Sequence, residues 1–327
     1  MNNPFIFIIG CPPSGTTLLQ RIVNAHPQIA IIPEIGWIVK RYQNREFVTE
    51  EGLVRPALIE DLIEKGGLGR YTRLPMDRQE LEELLSSTRH RPVAYSDLIT
   101  SFFDRYGEAQ EKALVGNKTV DYVRSISALH ELWPQARFVH LIRDGRDVCL
   151  SAIQWRRAAR LSSEFGTWSE DPVSTAALWW EWQVRLGREM GALLDNALCH
   201  EMRYEDLVAD PASTCRSLCD FLRIPYDEAM LRFYQGRKRQ APDLDAKHAW
   251  LPPTPGLRDW RIQMPPADLV RFEAVAGELL DELGYPRGVT ELNAGSVHHA
   301  SRLRQAFEGR PLPRRWPLEL PAGRFAS

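Results

Sequence analysis

The sequence has no long hydrophobic run: no segment reaches the ~18 apolar residues needed to span a bilayer. It starts Met-Asn-Asn-Pro and enters the apolar stretch Phe5 to Ile9 without the basic region that opens a secretory signal. Cysteine is scarce. Its five positions, Cys11, Cys149, Cys199, Cys215 and Cys219, are scattered without the spacing of a zinc site or disulfide frame, so they read as reduced core thiols. The eight histidines show no metal-ligand spacing either. An excess of one charge is also missing. The 41 basic and 43 acidic residues leave a formal charge of −2, which excludes a general nucleic-acid binder and requires any anion site to be local. Repeats and low-complexity tracts are absent. These absences predict a cytoplasmic globular chain, and its 327 residues, 44% of them hydrophobic, suffice to bury a large core.

What is present alternates between strand and helix signals. Phe5 to Ile9 is a continuous apolar run closed by Gly10, which suits a strand buried on both faces of a parallel sheet. A small-residue loop follows, then a predicted helix from Thr16 to Ala25, and Ile29 to Ile32 returns to the sheet before Pro33-Glu34. Strand signals resume at Ala136 to Ile142 and at Leu198 to Arg203, each followed by a turn cluster and a helix. The pattern predicts an α/β fold around a central parallel sheet. Residues 49–110 are mostly polar and helix-favouring, and are predicted to be a helical insertion that roofs a pocket. Asp210-Pro211 opens a helix to about Leu222, and Pro265-Pro266 another to about Leu283. The domain is predicted to cover 1–290, with a basic, Pro-rich tail over 291–327.

The loop Gly10-Cys11-Pro12-Pro13-Ser14-Gly15-Thr16-Thr17 lies between a predicted strand and a predicted helix. There the first helical amides are unpaired and the positive end of the helix dipole faces the loop, which makes an anion cradle. The Gly-x-x-x-x-Gly spacing is that of a P-loop, but Thr16 stands where nucleotide triphosphatases place a lysine. Triphosphate chemistry is therefore disfavoured. The amides after Pro13 and the hydroxyls of Ser14, Thr16 and Thr17 suit a smaller 5′-phosphosulfate. An ordinary turn rich in small residues remains the alternative.

Arg143-Asp144-Gly145-Arg146-Asp147 follows the strand ending at Ile142, and Ser151 lies eight residues beyond Arg143. This places a guanidinium at the carboxyl end of a parallel strand, where α/β proteins bind ligands, and a hydroxyl two turns up the next helix. The guanidinium fork matches phosphate oxygens, and the hydroxyl adds a neutral bond. A salt-bridged turn is the competing reading of these residues alone.

The loop and the Arg143–Ser151 pair together resemble the sulfotransferase family, in the branch that includes protein-tyrosine sulfotransferases and many bacterial sulfotransferases. The resemblance runs from Phe5 through Gly284. Ala-His-Pro at 25–27, Asn-Lys-Thr at 117–119, Arg-Tyr-Glu-Asp-Leu at 203–207 and Arg-Asp-Trp-Arg at 258–261 fall in family order. It implies a P-loop-like three-layer α/β fold with a central parallel β-sheet and helical insertions. It also implies transfer of a sulfuryl group from 3′-phosphoadenylyl sulfate to a hydroxyl acceptor, with 3′,5′-adenosine bisphosphate as product. The acceptor would be a small molecule, a carbohydrate or a peptide tyrosine, and no metal is implied. By the same resemblance Glu34 is the general base, Lys118 stabilises charge near the leaving group, residues 13 to 17 hold the 5′-phosphosulfate, and Arg143 with Ser151 holds the 3′-phosphate. Tyr204 matches a position near the ribose and 3′-phosphate, and also reads as a tyrosine bracing the sheet.

Two departures stand out. Relatives carry Arg or Lys where this chain has Pro13, which supplies neither charge nor amide hydrogen. Pro253-Thr254-Pro255 lacks the basic pair that many relatives place on the 3′-phosphate, so Arg258 is the candidate substitute. Trp179, Trp180 and Trp182 read as core residues, as does His140 within its strand. His248, Arg156, Arg157 and Arg160 are minor candidates for acceptor binding. Two rival functions remain: a P-loop small-molecule kinase, suggested by the loop spacing, and a non-catalytic nucleotide-binding homologue, suggested by Pro13.

Overall fold

In the computed structural model, residues 4–64, 79, 82, 83, 86, 91–154, 164–235, 251–254 and 256–309 are described. Among them, five strands form one sheet: β1 (Ile6–Ile9), β2 (Ile29–Ile32), β3 (Leu114–Lys118), β4 (Arg137–Ile142) and β5 (Cys199–Arg203). Their order is β2-β3-β1-β4-β5, and every neighbouring pair is parallel. With β1 at the centre, the chain builds β2 and β3 to one side and β4 and β5 to the other. The carboxyl end of β1 is therefore a topological switch point, where open parallel sheets bind ligands.

All four residues of β1 and of β2 are buried, because helices cover both faces of the sheet. Ile6, Ile8, Ile29, Ile31, Val139 and Leu141 pack on one side with α1 (Thr16–Asn24) and the later helix Pro211–Leu222. Phe5, Phe7, Ile9, Ala30, Ile32 and Phe138 pack on the other. The long helix Pro172–Leu193 lies over that face, with Asp171 Oδ1 capping it at the Val173 and Ser174 amides, 3.1 Å each. Trp179 and Trp180 are buried on it, as expected from sequence. No helix among the described residues is long and apolar enough to cross a membrane.

Three features differ from the sequence expectations. Strand β3 has no strong signal, because only Leu114 and Val115 are apolar before Gly116-Asn117-Lys118. Flanking strands supply what the side chains do not, pairing Gly116 with Ile6 on one side and Ile31 on the other. The helix Tyr95–Glu108, within the predicted roof, buries Leu98, Ile99, Phe102 and Phe103 in the main core. The stretch expected as a tail begins with a packed helix, Ala294–Glu308. Asn293 caps it through the Ser296 amide at 2.8 Å, and Ala300, Leu303 and Phe307 recur at helical spacing on a buried face. Phe307 stacks on Phe165 with ring centroids 4.8 Å apart. Residues 310–327 lie outside the described part, as do Arg156, Arg157, Arg160 and His248.

Candidate active site

The loop after β1 turns on Gly15, whose φ of 91° is a left-handed conformation that favours glycine. A Cβ there would stand 2.5 Å from two ring carbons of Tyr204. The Gly15 carbonyl accepts from Leu18 N at 2.9 Å and Leu19 N at 3.1 Å, and so starts α1 directly behind the loop. Ser14 and Thr16 are buried, while Pro13 and Thr17 are half-buried. The Ser14 hydroxyl is fully enclosed and has no hydrogen-bond partner among the described residues. Such a buried orphan calls for a ligand or water.

The end of β2 is clamped by Asn117, Lys118 and Thr119. Asn117 Nδ2 donates to Ile32 O at 3.1 Å and Pro33 O at 3.3 Å, and the Ile35 amide donates to Thr119 Oγ1 at 2.9 Å. Tyr122 adds a hydroxyl donated to Ile35 O. Between these clamps Lys118 Nζ lies 2.9 Å from Glu34 Oε1; the lysine side chain is 5% exposed and the glutamate 36%. Ile8 of β1 pairs with Lys118, so the ammonium leaves β3 beside the strand that feeds the phosphate loop. The pair is thus an ionic contact at the sheet's carboxyl end with one partner open to solvent.

Arg143 leaves β4 next door. Its carbonyl accepts from Trp180 Nε1 at 3.1 Å, and its guanidinium lies over the Tyr204 ring, 4.3 Å from the centroid. Asp147 Oδ2 is 3.6 Å from Arg143 Nη2, while Arg143 Nε is buried without a hydrogen-bond partner among the described residues. Tyr204 therefore touches both anion elements: one part of its ring faces Gly15, and the guanidinium of Arg143 sits over it. Burial pushes the Tyr204 phenol up, with Arg143 opposing. The two arginines of Arg-Asp-Gly-Arg-Asp do different work. Arg146, fully buried, binds Asp144 (Nε–Oδ1 3.0 Å, Nη2–Oδ2 2.7 Å), Glu273 Oε1 at 2.7 Å and Pro286 O at 2.8 Å, and stacks 3.5 Å above Trp260. Glu205 Oε1 accepts the Asp144 amide at 2.9 Å. This network fixes the turn and leaves Arg143 to face the site.

Ser151 is half-buried two turns up the helix Gly145–Ile153. At the end of that helix Gln154 Oε1 accepts from Arg258 Nη2 at 2.6 Å. Arg258 thus meets this helix at its end, three residues along the chain from Ser151. Asp147 Oδ1 accepts the Trp260 amide at 2.9 Å, which ties the Arg-Asp-Trp-Arg segment to the same helix. Burial pushes the Asp147 carboxyl up to about 6, with Arg143 opposing. His26 of Ala-His-Pro is structural: its Nδ1 takes the Gln28 amide at 3.1 Å, which leaves Nε2 to donate to Pro225 O at 2.9 Å.

The predicted catalytic and donor-binding residues all fall among the described ones, at the carboxyl end of the sheet or on elements leading from it; the acceptor-site candidates Arg156, Arg157, Arg160 and His248 do not. Sequence reasoning quoted the motifs that hold Asp147, Glu205, Asn117 and Thr119 but gave these residues no role, and read Trp180 only as core. Position 147 shows only as one more acid in a charged turn, and its contact with Trp260 spans 113 residues.

The sulfotransferase family profile matches residues 4–228, more than half of the chain. Protein-tyrosine sulfotransferase A of Caenorhabditis elegans is 25% identical over 233 residues, covering 71% of this chain and 53% of the relative. Protein-tyrosine sulfotransferase 1 of Danio rerio is 24% identical over 303 residues, covering 89% and 75%. The chain thus spans about half the length of the first relative and three quarters of the second. Among solved structures, the sulfotransferase domain from the curacin biosynthetic pathway superposes with a TM-score of 0.52 at 19% identity, over 91% of this chain and 96% of that one. The sulfotransferase domain of the Synechococcus PCC 7002 olefin synthase gives 0.52 at 20%, over 95% and 96%. The fold is shared with these domains, and the profile match establishes that the chain belongs to the sulfotransferase family.

Proposed function

We propose that this chain transfers a sulfuryl group from 3′-phosphoadenylyl sulfate to a hydroxyl acceptor. The observation that carries the reading is the Tyr204 ring, which joins the loop at Gly15 to the guanidinium of Arg143. A donor with anionic groups at both ends of its ribose needs two such cradles side by side. The orphaned, buried Ser14 Oγ and Arg143 Nε fit that demand. Residues 13 to 17 would hold the 5′-phosphosulfate. Arg143, Ser151 and Arg258 would hold the 3′-phosphate, with Tyr204 beside the ribose.

The bound donor would supply the sulfuryl group and leave as 3′,5′-adenosine bisphosphate. Glu34 would take the proton of the acceptor hydroxyl as its oxygen bonds to sulfur, from a position held by the Asn117 and Thr119 clamps. Lys118, itself buried although its partner Glu34 is open to solvent, would stabilise the charge gathering on the departing phosphate oxygen. It also orients the Glu34 carboxylate through their 2.9 Å contact. Likeness to the animal protein-tyrosine sulfotransferases makes a peptide tyrosine one acceptor class to try, beside small alcohols and carbohydrates. Thr16 in place of a P-loop lysine argues against the kinase reading.

The test is calorimetric titration with 3′,5′-adenosine bisphosphate, 5′-AMP and ATP, on wild type and Arg143→Ala. Micromolar binding that needs the 3′-phosphate and collapses in the variant is expected. Equal binding of ATP, or no binding of any nucleotide, would overturn the reading.

A further inference from the structure

Asp147 takes no part in the chemistry proposed above, yet it occupies the joint of the 3′-phosphate site. One carboxylate oxygen anchors the Trp260 amide and the other faces Arg143 Nη2 at 3.6 Å. Both side chains of that pair are nearly enclosed, 12% exposed for the aspartate and 8% for the arginine. The guanidinium assigned to the phosphate is therefore already engaged, loosely, by a buried carboxylate.

The groups around Asp147 are Arg143 and Asp144 from the strand–helix turn, and Tyr204 and Glu205 from the segment after β5. The helix Trp260–Gln263 presents its first amide. Charged groups on the other packed helices are committed elsewhere: Glu273 to Arg146, and Glu181 to Arg185 and Arg304. Two acids, Asp144 and Glu205, and two arginines, Arg143 and the Asp144-bound Arg146, therefore surround the carboxylate. A phosphate monoester arriving at Arg143 adds further negative charge where water screens little, and like charges there favour the protonated carboxyl. Once protonated, the carboxyl keeps an oxygen for the Trp260 amide and no longer competes for the guanidinium.

We propose that Asp147 is a proton-coupled positioning residue, which takes up a proton when a 3′-phosphorylated nucleotide binds Arg143 and so releases the guanidinium to the phosphate. The inference rests on the donor-site reading above. Burial already holds the free carboxyl at about 6, so a modest further push protonates it near neutrality. Because binding raises the midpoint, nucleotide affinity is greatest below the free midpoint and falls as pH rises through the bound one.

The experiment is titration of wild type and Asp147→Asn with 3′,5′-adenosine bisphosphate, in buffers of different ionisation enthalpy. Asparagine keeps the size and the acceptor oxygen but cannot titrate. The variant is also the reference for the nucleotide's own phosphate, whose second pKa near ~6 releases protons on binding as the dianion. At pH 7 the wild type should take up about half a proton more per nucleotide than the variant. Between pH 6.5 and 8 its affinity should fall about three- to fourfold more than the variant's. Equal uptake, with Arg143-dependent binding intact, overturns the role of Asp147 and leaves the donor site standing; absence of nucleotide binding overturns both. Should Asp147→Asn not fold, carboxyl carbon-13 titration of the wild type decides the matter. A midpoint that rises by about one pH unit or more on saturation supports the proposal, and an unmoved midpoint overturns it.

Discussion

The Tyr204 ring occupies the space that a side chain on Gly15 would need, with two ring carbons 2.5 Å from an added Cβ. Gly15→Ala must therefore move the ring, and the φ of 91° adds backbone strain of about 1–3 kcal/mol. A lower melting temperature is expected together with a loss of 3′,5′-adenosine bisphosphate affinity, because displacing the ring also disturbs its stack with Arg143. Unchanged affinity on calorimetry would separate the loop from the arginine site.

Glu34→Gln should reduce turnover about 10²–10⁴-fold while nucleotide affinity stays near wild type. Lys118→Ala should cost about 10²-fold or more. Since the two side chains touch, the double variant should lose less than the product of the single losses. Activity near wild type in Glu34→Gln would take the base role away from it.

On the proposed donor site, Arg143→Ala would remove charge-assisted bonds to the 3′-phosphate, each contributing about 1.5–3 kcal/mol. Affinity for 3′,5′-adenosine bisphosphate should drop about tenfold or more, with 5′-AMP little affected. Arg143→Lys should not restore it, because an ammonium neither stacks on Tyr204 nor offers a planar fork. Comparable losses for both nucleotides would argue that Arg143 supports the fold instead.

Arg146→Met leaves the buried carboxylates of Asp144 and Glu273 without their partner, at a cost of about 3–5 kcal/mol. The exposed pair Arg232–Glu228 offers the contrast, since removing it should change stability by less than ~1 kcal/mol. Denaturant unfolding of Arg146→Met and Arg232→Met side by side checks the difference.

Burial lowers the His140 pKa to about 4, with Arg188 adding a smaller push, so the folded protein holds the ring neutral. The unfolded chain protonates near ~6.5. Stability from this residue is full above that value and is lost as pH falls toward 4, by up to about 3 kcal/mol. Unfolding at pH 7 and at 4.5 should show that His140→Leu loses less stability than wild type over that interval. An equal loss would mean that other groups set the acid sensitivity.

Much of the fold shows in the sequence because its signals are local. The Ile-rich runs of β1 and β2, and the Asp-Pro and Pro-Pro helix starts, each declare themselves within a few residues. Strand β3 does not, because its last three residues form a strand only through hydrogen bonds to strands distant in sequence. Among site residues, the loop at 13–17 and the Arg143–Ser151 spacing can be read directly. Pairing Lys118 with Glu34, across 84 residues, needs the parallel register that places β3 between β1 and β2. The helix Ala294–Glu308 escapes notice because the histidines and arginines interleaved with Ala300, Leu303 and Phe307 mask their spacing, although His299 and Arg304 bind Asp171 and Glu181 across the packing.

Arg146 lies inside the 4–228 span matched by the family profile, but Trp260, Glu273 and Pro286, which enclose it, lie beyond that span. The end of the profile match is therefore not a line along which the protein can be cut. A chain ended at 228 would expose a cation shaped to fit an absent partner. A chimera that borrows its carboxyl-terminal third from another sulfotransferase would keep the turn at 143–147 in its present shape only if the donor sequence brings its own counterparts of that aromatic ring, carboxylate and carbonyl.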